Sequence, residues 1–81
     1  MEQKIKQDSL SIGKNLRKYR LRQDMTQEQV AAQLQVKGLN VSRSTYSAME
    51  NGRYSIRVEE LVALAEIFQV DYNALFENLD K

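Results

Sequence analysis

Apolar residues along this chain recur every three or four positions and do not sustain an alternating pattern. That is the spacing of helices with one buried face, not of strands. Ile12, Leu16 and Tyr19 fall at i, i+4 and i+7, which predicts a first helix from about Ser9 to Gln23. Residues 1–8 carry no such stripe and read as a flexible N-terminal arm. In "MTQEQVAAQL", Thr26 is an N-cap, Gln29 completes a capping box, and Met25 and Val30 occupy the two staple positions. A second helix therefore starts at Gln27, with Val30, Ala31 and Leu34 turned inward. A third runs from Arg43 to about Asn51 and stops at Gly52. "VEELVALAEIF" is a fourth, with Val58, Leu61, Leu64, Ala65 and Phe68 spaced for burial. Asp71 is placed to cap a short fifth, in which Leu75, Phe76 and Leu79 are apolar. Proline is absent, and neither a linker nor a repeat interrupts the pattern. Residues 9–81 are expected to form one compact all-α domain of five helices.

The stretch between the second and third helices carries its own signals. If the second helix runs to Val36 or Lys37, Gly38 becomes the residue after its cap, free to take positive φ. Leu34 and Leu39 then stand at the two positions that pack together in a Schellman ending. Val41 and Tyr46 form a second hydrophobic staple around the next helix start. Only Asn40 is left without a role, so a structured bridge is expected here, not a floppy insertion.

Composition narrows the chemistry. The 81 residues include no cysteine and no histidine. Disulfides, thiolate metal sites and the commonest general base are thereby removed, and no cofactor, metal or enzymatic activity is expected. No apolar run is long enough to span a membrane and "MEQKIKQD" is no secretory signal, so a cytoplasmic protein is expected. The net charge of +1 conceals a division. Residues 1–57 hold eleven basic against five acidic residues, and residues 58–81 hold one against six. That polarity suits a surface facing a polyanion, although chance clustering on solvated helices would look the same.

The third helix has two faces. Tyr46, Met49 and Glu50 lie on one at i, i+3 and i+4, and Arg43, Ser44, Ser47 and Ala48 lie on the other. The second set matches what the edges of base pairs require: Arg43 for guanine O6 and N7, Ser44 and Ser47 as donors or acceptors, Ala48 for a thymine methyl. Gln27, just after the Thr26 cap, suits a phosphate at a helix N-terminus, and Ala31 is small enough for two helices to approach. Taken alone, these positions read better as solvated surface.

Their company changes that. "IGKNLRKYRLRQDMTQEQVAAQL", "VSRSTYSAMENGR" and "VEELVALAEIFQVDYNALF" resemble, in order and spacing, the phage-repressor-like (Xre-type, lambda-repressor-like) helix-turn-helix family over residues 12–76. The resemblance implies a helix-turn-helix at the second and third helices, with Arg43, Ser44, Ser47 and Ala48 facing bases. It implies phosphate contacts from Gln27, Ser42, Asn51, Arg53, Ser55 and Arg57, with Ser42 also capping the recognition helix. It also implies an internal ion pair between Arg20 and Glu50. The partner would be double-stranded DNA with a near-palindromic operator, bound by a homodimer acting as a small transcriptional repressor. Tyr72, Leu75, Phe76 and Leu79 are the candidate dimer interface, or else they close the chain's own core. Rival readings are an antitoxin acting with a toxin partner, disfavoured because no long toxin-wrapping tail is visible, and a protein-interaction module of the same fold. One departure stands out. From Gln27 to Ser42 the turn is about five residues longer than the family's common pattern, and Gln35 stands where its turn glycine would fall. A longer turn would bring Lys37 or Asn40 toward the DNA backbone.

Overall fold

A computed structural model describes residues 2–77, with side chains described from Ile12 onward. Four α-helices follow in order: α1 (Glu2–Arg22), α2 (Gln27–Val36), α3 (Arg43–Glu50) and α4 (Val58–Phe68). A 3-10 helix, Tyr72–Phe76, closes the described chain. The all-α class holds, while the fifth expected helix is this tighter 3-10 turn. Asp71 precedes it but makes no side-chain cap bond. α1 starts at Glu2, well before the expected Ser9, so the stretch expected as an arm has helical backbone. Glu, Gln and Lys are good helix formers, and the apolar stripe marks where packing begins, not where the helix begins.

Both expected N-terminal devices are present. Thr26 Oγ1 accepts from Gln29 N at 3.1 Å while Gln29 Oε1 accepts from Thr26 N at 2.8 Å. Ser42 Oγ accepts from Thr45 N at 3.1 Å and caps α3. At the other ends all four helices use one device. The N–H just after a left-handed residue reaches back to a carbonyl of the last turn: Met25 to Arg20, Leu39 to Leu34, Arg53 to Ala48 and Val70 to Ala65, at 2.9–3.1 Å. Each such ending needs a left-handed residue. Asp24, Gly38, Gly52 and Gln69 supply it, with φ of 58°, 89°, 72° and 58°.

The core follows the stripes. Leu16, Val30, Leu34, Val41, Tyr46, Met49, Leu64, Phe68 and Leu75 are fully buried, with Ile12, Tyr19, Ala31, Leu61 and Ala65 nearly so. α1 packs on α3 and the 3-10 helix, and α2 packs on α3 and α4. Val58 departs from expectation: it is 65% exposed. The first turn of α4 overhangs the core, and its inward place is taken by Glu60, which bonds the Tyr54 hydroxyl and Arg57 N, each at 2.9 Å.

Leu75 also departs from one of its two readings. Its side chain is fully buried in the chain's own core, so it is not available to a second copy. Phe76 is partly buried against that core, and Tyr72 is the more exposed of the two rings, 5.1 Å apart. Leu79 lies outside the described residues.

Candidate nucleic-acid interface

The interface begins with how α3 is held. Burying Tyr46 and Met49 turns the opposite side of the helix outward, leaving Arg43 and Ser44 exposed and Ser47 and Ala48 half-exposed. The four candidate base-facing positions therefore lie together on one solvent-facing side. Ser42 caps α3, and its hydroxyl also donates to Thr45 Oγ1 at 3.1 Å. Ser42 is itself exposed at the start of α3, beside the candidate base-facing residues. The Tyr46 hydroxyl has no partner in hydrogen-bonding geometry among the described residues. Burial pushes its pKa up, so it remains protonated.

Glu50, the anion on this helix, is turned inward. Arg20 holds it with two bonds, Nε to Oε2 at 2.7 Å and Nη2 to Oε1 at 3.2 Å. Arg20 Nη1 also donates to Met25 O at 3.0 Å, which locks the guanidinium against the turn between α1 and α2. Burial alone would raise the Glu50 carboxyl's pKa. Hydrogen bonds, first from Arg20 and also from Gln27, outweigh burial and hold it below the ordinary carboxylate value. Removing this carboxylate from the surface lets α3 face a polyanion.

Gln27 is part of the same network. Its Nε2 donates to Glu50 Oε1 at 3.0 Å, which leaves one amide hydrogen for a ligand. The N–H groups of Gln27 and Glu28 lie in the first turn of α2, where no intrahelical acceptor exists. Arg43 lines a cleft with Thr26, Gln27 and Glu28, so the start of α3 and the start of α2 form one continuous edge. Asn51 is the C-cap of α3, and Arg53, Ser55 and Arg57 follow it as exposed residues of the loop to α4.

The long turn is ordered by four hydrogen bonds and one ion pair. Leu39 N bonds Leu34 O at 3.0 Å and Gly38 N bonds Gln35 O at 2.9 Å, the two bonds of a Schellman ending. Val41 N reaches Leu39 O at 3.0 Å, so Asn40 sits at the centre of a three-residue turn. Gln35, at the site of the family's glycine, donates from Nε2 to Val41 O at 2.9 Å. Lys37 pairs with Glu66 of α4 at 2.7 Å, which turns it toward the body of the protein and away from the expected DNA side.

Two residue types escaped the sequence reading. Lys14 and Arg17 of α1 line a cleft with Arg20, Gln27, Glu50 and Asn51. They stand at i and i+3 on a helix, a basic pair legible in the sequence once the face of α1 that meets α3 is known. That face is set by Gly13. A Cβ there would fall 2.6 Å from Met49 O and closer still to Glu50 O, so only glycine lets α1 lie against the end of α3.

No helix among the described residues is long and apolar enough to cross a membrane. No curated protein and no solved structure matches the chain. A family model described as helix-turn-helix matches residues 16–75, which span α2, the long bridge, α3 and α4. With that match covering most of the chain, and α2 packed on α3, the chain belongs to the helix-turn-helix family of Xre-like, lambda-repressor-like DNA-binding regulators.

Proposed function

We propose that the protein is a sequence-specific regulator that reads the major groove with α3 and represses by occupying its operator. The observation that carries this reading is the outward set Arg43, Ser44, Ser47 and Ala48, opposite buried Tyr46 and Met49 and beside the start of α2. Arg43 reads guanine, the two serines adapt to their neighbours, and Ala48 meets a thymine methyl. Gln27 uses its remaining amide hydrogen, with the free N–H groups of the first turn of α2, on one phosphate. Asn51, Arg53, Ser55 and Arg57 hold the strand beyond the other end of α3. A domain of this size covers a short half-site, so the protein acts as a cytoplasmic homodimer on a near-palindrome, with Tyr72 and Phe76 at the contact.

Selection from random duplexes, paired with sedimentation of the selected complex, tests this. The expected result is a two-fold consensus bound by two copies. Arg43→Ala should change the preferred base at one position of each half-site, whereas Gln27→Ala should weaken all sequences alike. A selection that yields no consensus would refute sequence-specific reading.

A further inference from the structure

Five cations of α1 have described side chains, and they divide by what they meet. Lys18 pairs with Glu77 at 2.9 Å, and Arg22 lies 5.4 Å from the centroid of the Tyr19 ring, both on the side crossed by the C-terminal segment. Arg20 is spent on Glu50 and Met25 O. Lys14 and Arg17 are exposed, pair with no carboxylate among the described residues, and line the cleft between α1, the start of α2 and the end of α3.

The cleft suits an anion despite containing Glu50. That carboxylate is 4% exposed, and its oxygens are taken by Arg20 and Gln27, so little of its charge faces outward. The remaining lining is two free cations and the amides of Gln27 and Asn51. No aromatic ring lies among these residues, so the cleft offers charge and hydrogen bonds without a surface on which a base could stack. Lysine supplies a mobile point charge, and arginine supplies a fork that matches phosphate oxygens. Asn51 belongs both to this cleft and to the C-terminal end of the recognition helix.

From this arrangement we infer that the α1 cleft is a phosphodiester site in which Lys14 and Arg17 each hold a phosphate of the operator strand passing the C-terminal end of α3. The inference rests on the proposed reading of α3 as the base-contacting helix. It adds α1 to the DNA interface and sets the outer limit of the footprint on that side. It also gives Gly13 a functional consequence, because the close approach it permits brings the α1 cations beside Asn51.

The test compares the salt dependence of operator binding for the wild type, Lys14→Ala/Arg17→Ala and an Arg22→Ala control on the same helix. Each neutralised phosphate contributes about 0.9 to the slope of log affinity against log salt, so the double variant should lose about 1.8 per protomer, or about 3.6 for the dimer on its operator. Near 0.1 M salt that corresponds to a loss of roughly sixtyfold for each half-site. The ratio of operator to random-duplex affinity should stay unchanged, and melting temperatures should match the wild type because both residues are exposed. Arg22→Ala should bind within about twofold of the wild type, since it removes no phosphate contact. A double variant with the wild-type slope, or with no greater loss than Arg22→Ala, would overturn the inference while leaving the reading of α3 intact. A wild type that binds no duplex at any salt concentration would overturn both.

Discussion

α1 is fastened at two junctions, and each has a carboxylate at its centre. At the first, Glu50 of α3 sits between Arg20 and Gln27. At the second, Glu77 sits between Lys18 and the Tyr19 hydroxyl. The partners look alike but the surroundings differ. Side chains of the first pair are 12% and 4% exposed, and those of the second are 37% and 42% exposed. Water screens the second pair and leaves the first to the protein, so equivalent chemistry is structural in one place and marginal in the other. The first junction also lies beside the proposed DNA surface, where an uncovered carboxylate would repel phosphate.

Breaking the first junction should have the largest effect. Glu50→Ala leaves the Arg20 guanidinium partly buried without its partner and frees Gln27, at a cost of about 3–5 kcal/mol. For a domain this size that amounts to a fall in melting temperature of well over about 10 °C. A fall of only a few degrees would show that the pair is no better than a surface one. Acid should act on the same group. Because Glu50 binds its proton less tightly folded than unfolded, its contribution is complete above the ordinary value of 4.5 and is lost as pH falls through the lower folded-state value. Glu50→Gln should therefore flatten the acid limb of the stability profile. Glu77 is also held low, first by Tyr19 and then by Lys18, yet its exposure should make Glu77→Gln change that limb far less.

Gly13→Ala attacks the same junction through packing instead of charge. Its methyl group would meet the carbonyls of Met49 and Glu50, which cannot swing aside as a side chain could. Overpacking costs about 1–3 kcal/mol, while the better helix propensity of alanine returns about 1. The net expectation is a loss of up to about 2 kcal/mol, seen as a lower denaturant midpoint with an unchanged slope. A gain in stability would mean that α1 can retreat from α3 at no cost.

The two junctions also differ in how far they were legible. Helix ends could be read because a cap is local chemistry: Thr26 with Gln29, Ser42, and Gly38 with Leu34 and Leu39 each act within a few residues. Arg20 and Glu50 are thirty residues apart, and only the family resemblance linked them. Nothing local links Asn15 or Lys18 to Glu77. Gly13 was a readable signal, since an isolated glycine inside a helix marks a close approach, but not what it approaches. Lys14 and Arg17 depend on that approach and so stayed hidden. Gln35 reads as an ordinary solvated side chain until the path of the bridge brings Val41 O within its reach. An apolar stripe likewise names a face without saying where the neighbouring helix ends. Val58 therefore lies outside the core that its spacing predicts, and Leu75 lies inside a core when an interface was equally open.

At the second junction the stronger tie is a neutral one. Asn15 is 7% exposed, and its Nδ2 donates to Leu75 O at 2.9 Å and Glu77 O at 2.8 Å. These carbonyls close the 3-10 helix, and one bond is buried. Asn15→Ala removes the shared donor and strands them, so the expected loss is about 1–2 kcal/mol. Amide exchange should then rise first at Leu75 and Glu77 rather than across the whole chain. Uniform exchange would place Asn15 in the global core and not in the fastening of the C-terminal segment.

The smallest effect should come from the charges around Glu77. Lys18→Ala removes an exposed cation that pairs at 2.9 Å and lies 4.8 Å from the centroid of the Tyr19 ring. Holding a long flexible side chain in place costs conformational entropy, and salt screens the attraction. The melting temperature should therefore move by no more than about 2 °C in low salt and by less in 1 M salt. The double variant Lys18→Ala/Asn15→Ala sharpens the comparison. If Asn15 fastens this segment and Lys18 only decorates it, the two effects add. If the losses are strongly non-additive, the ammonium and the amide act as one unit, and the second junction resembles the first despite its exposure.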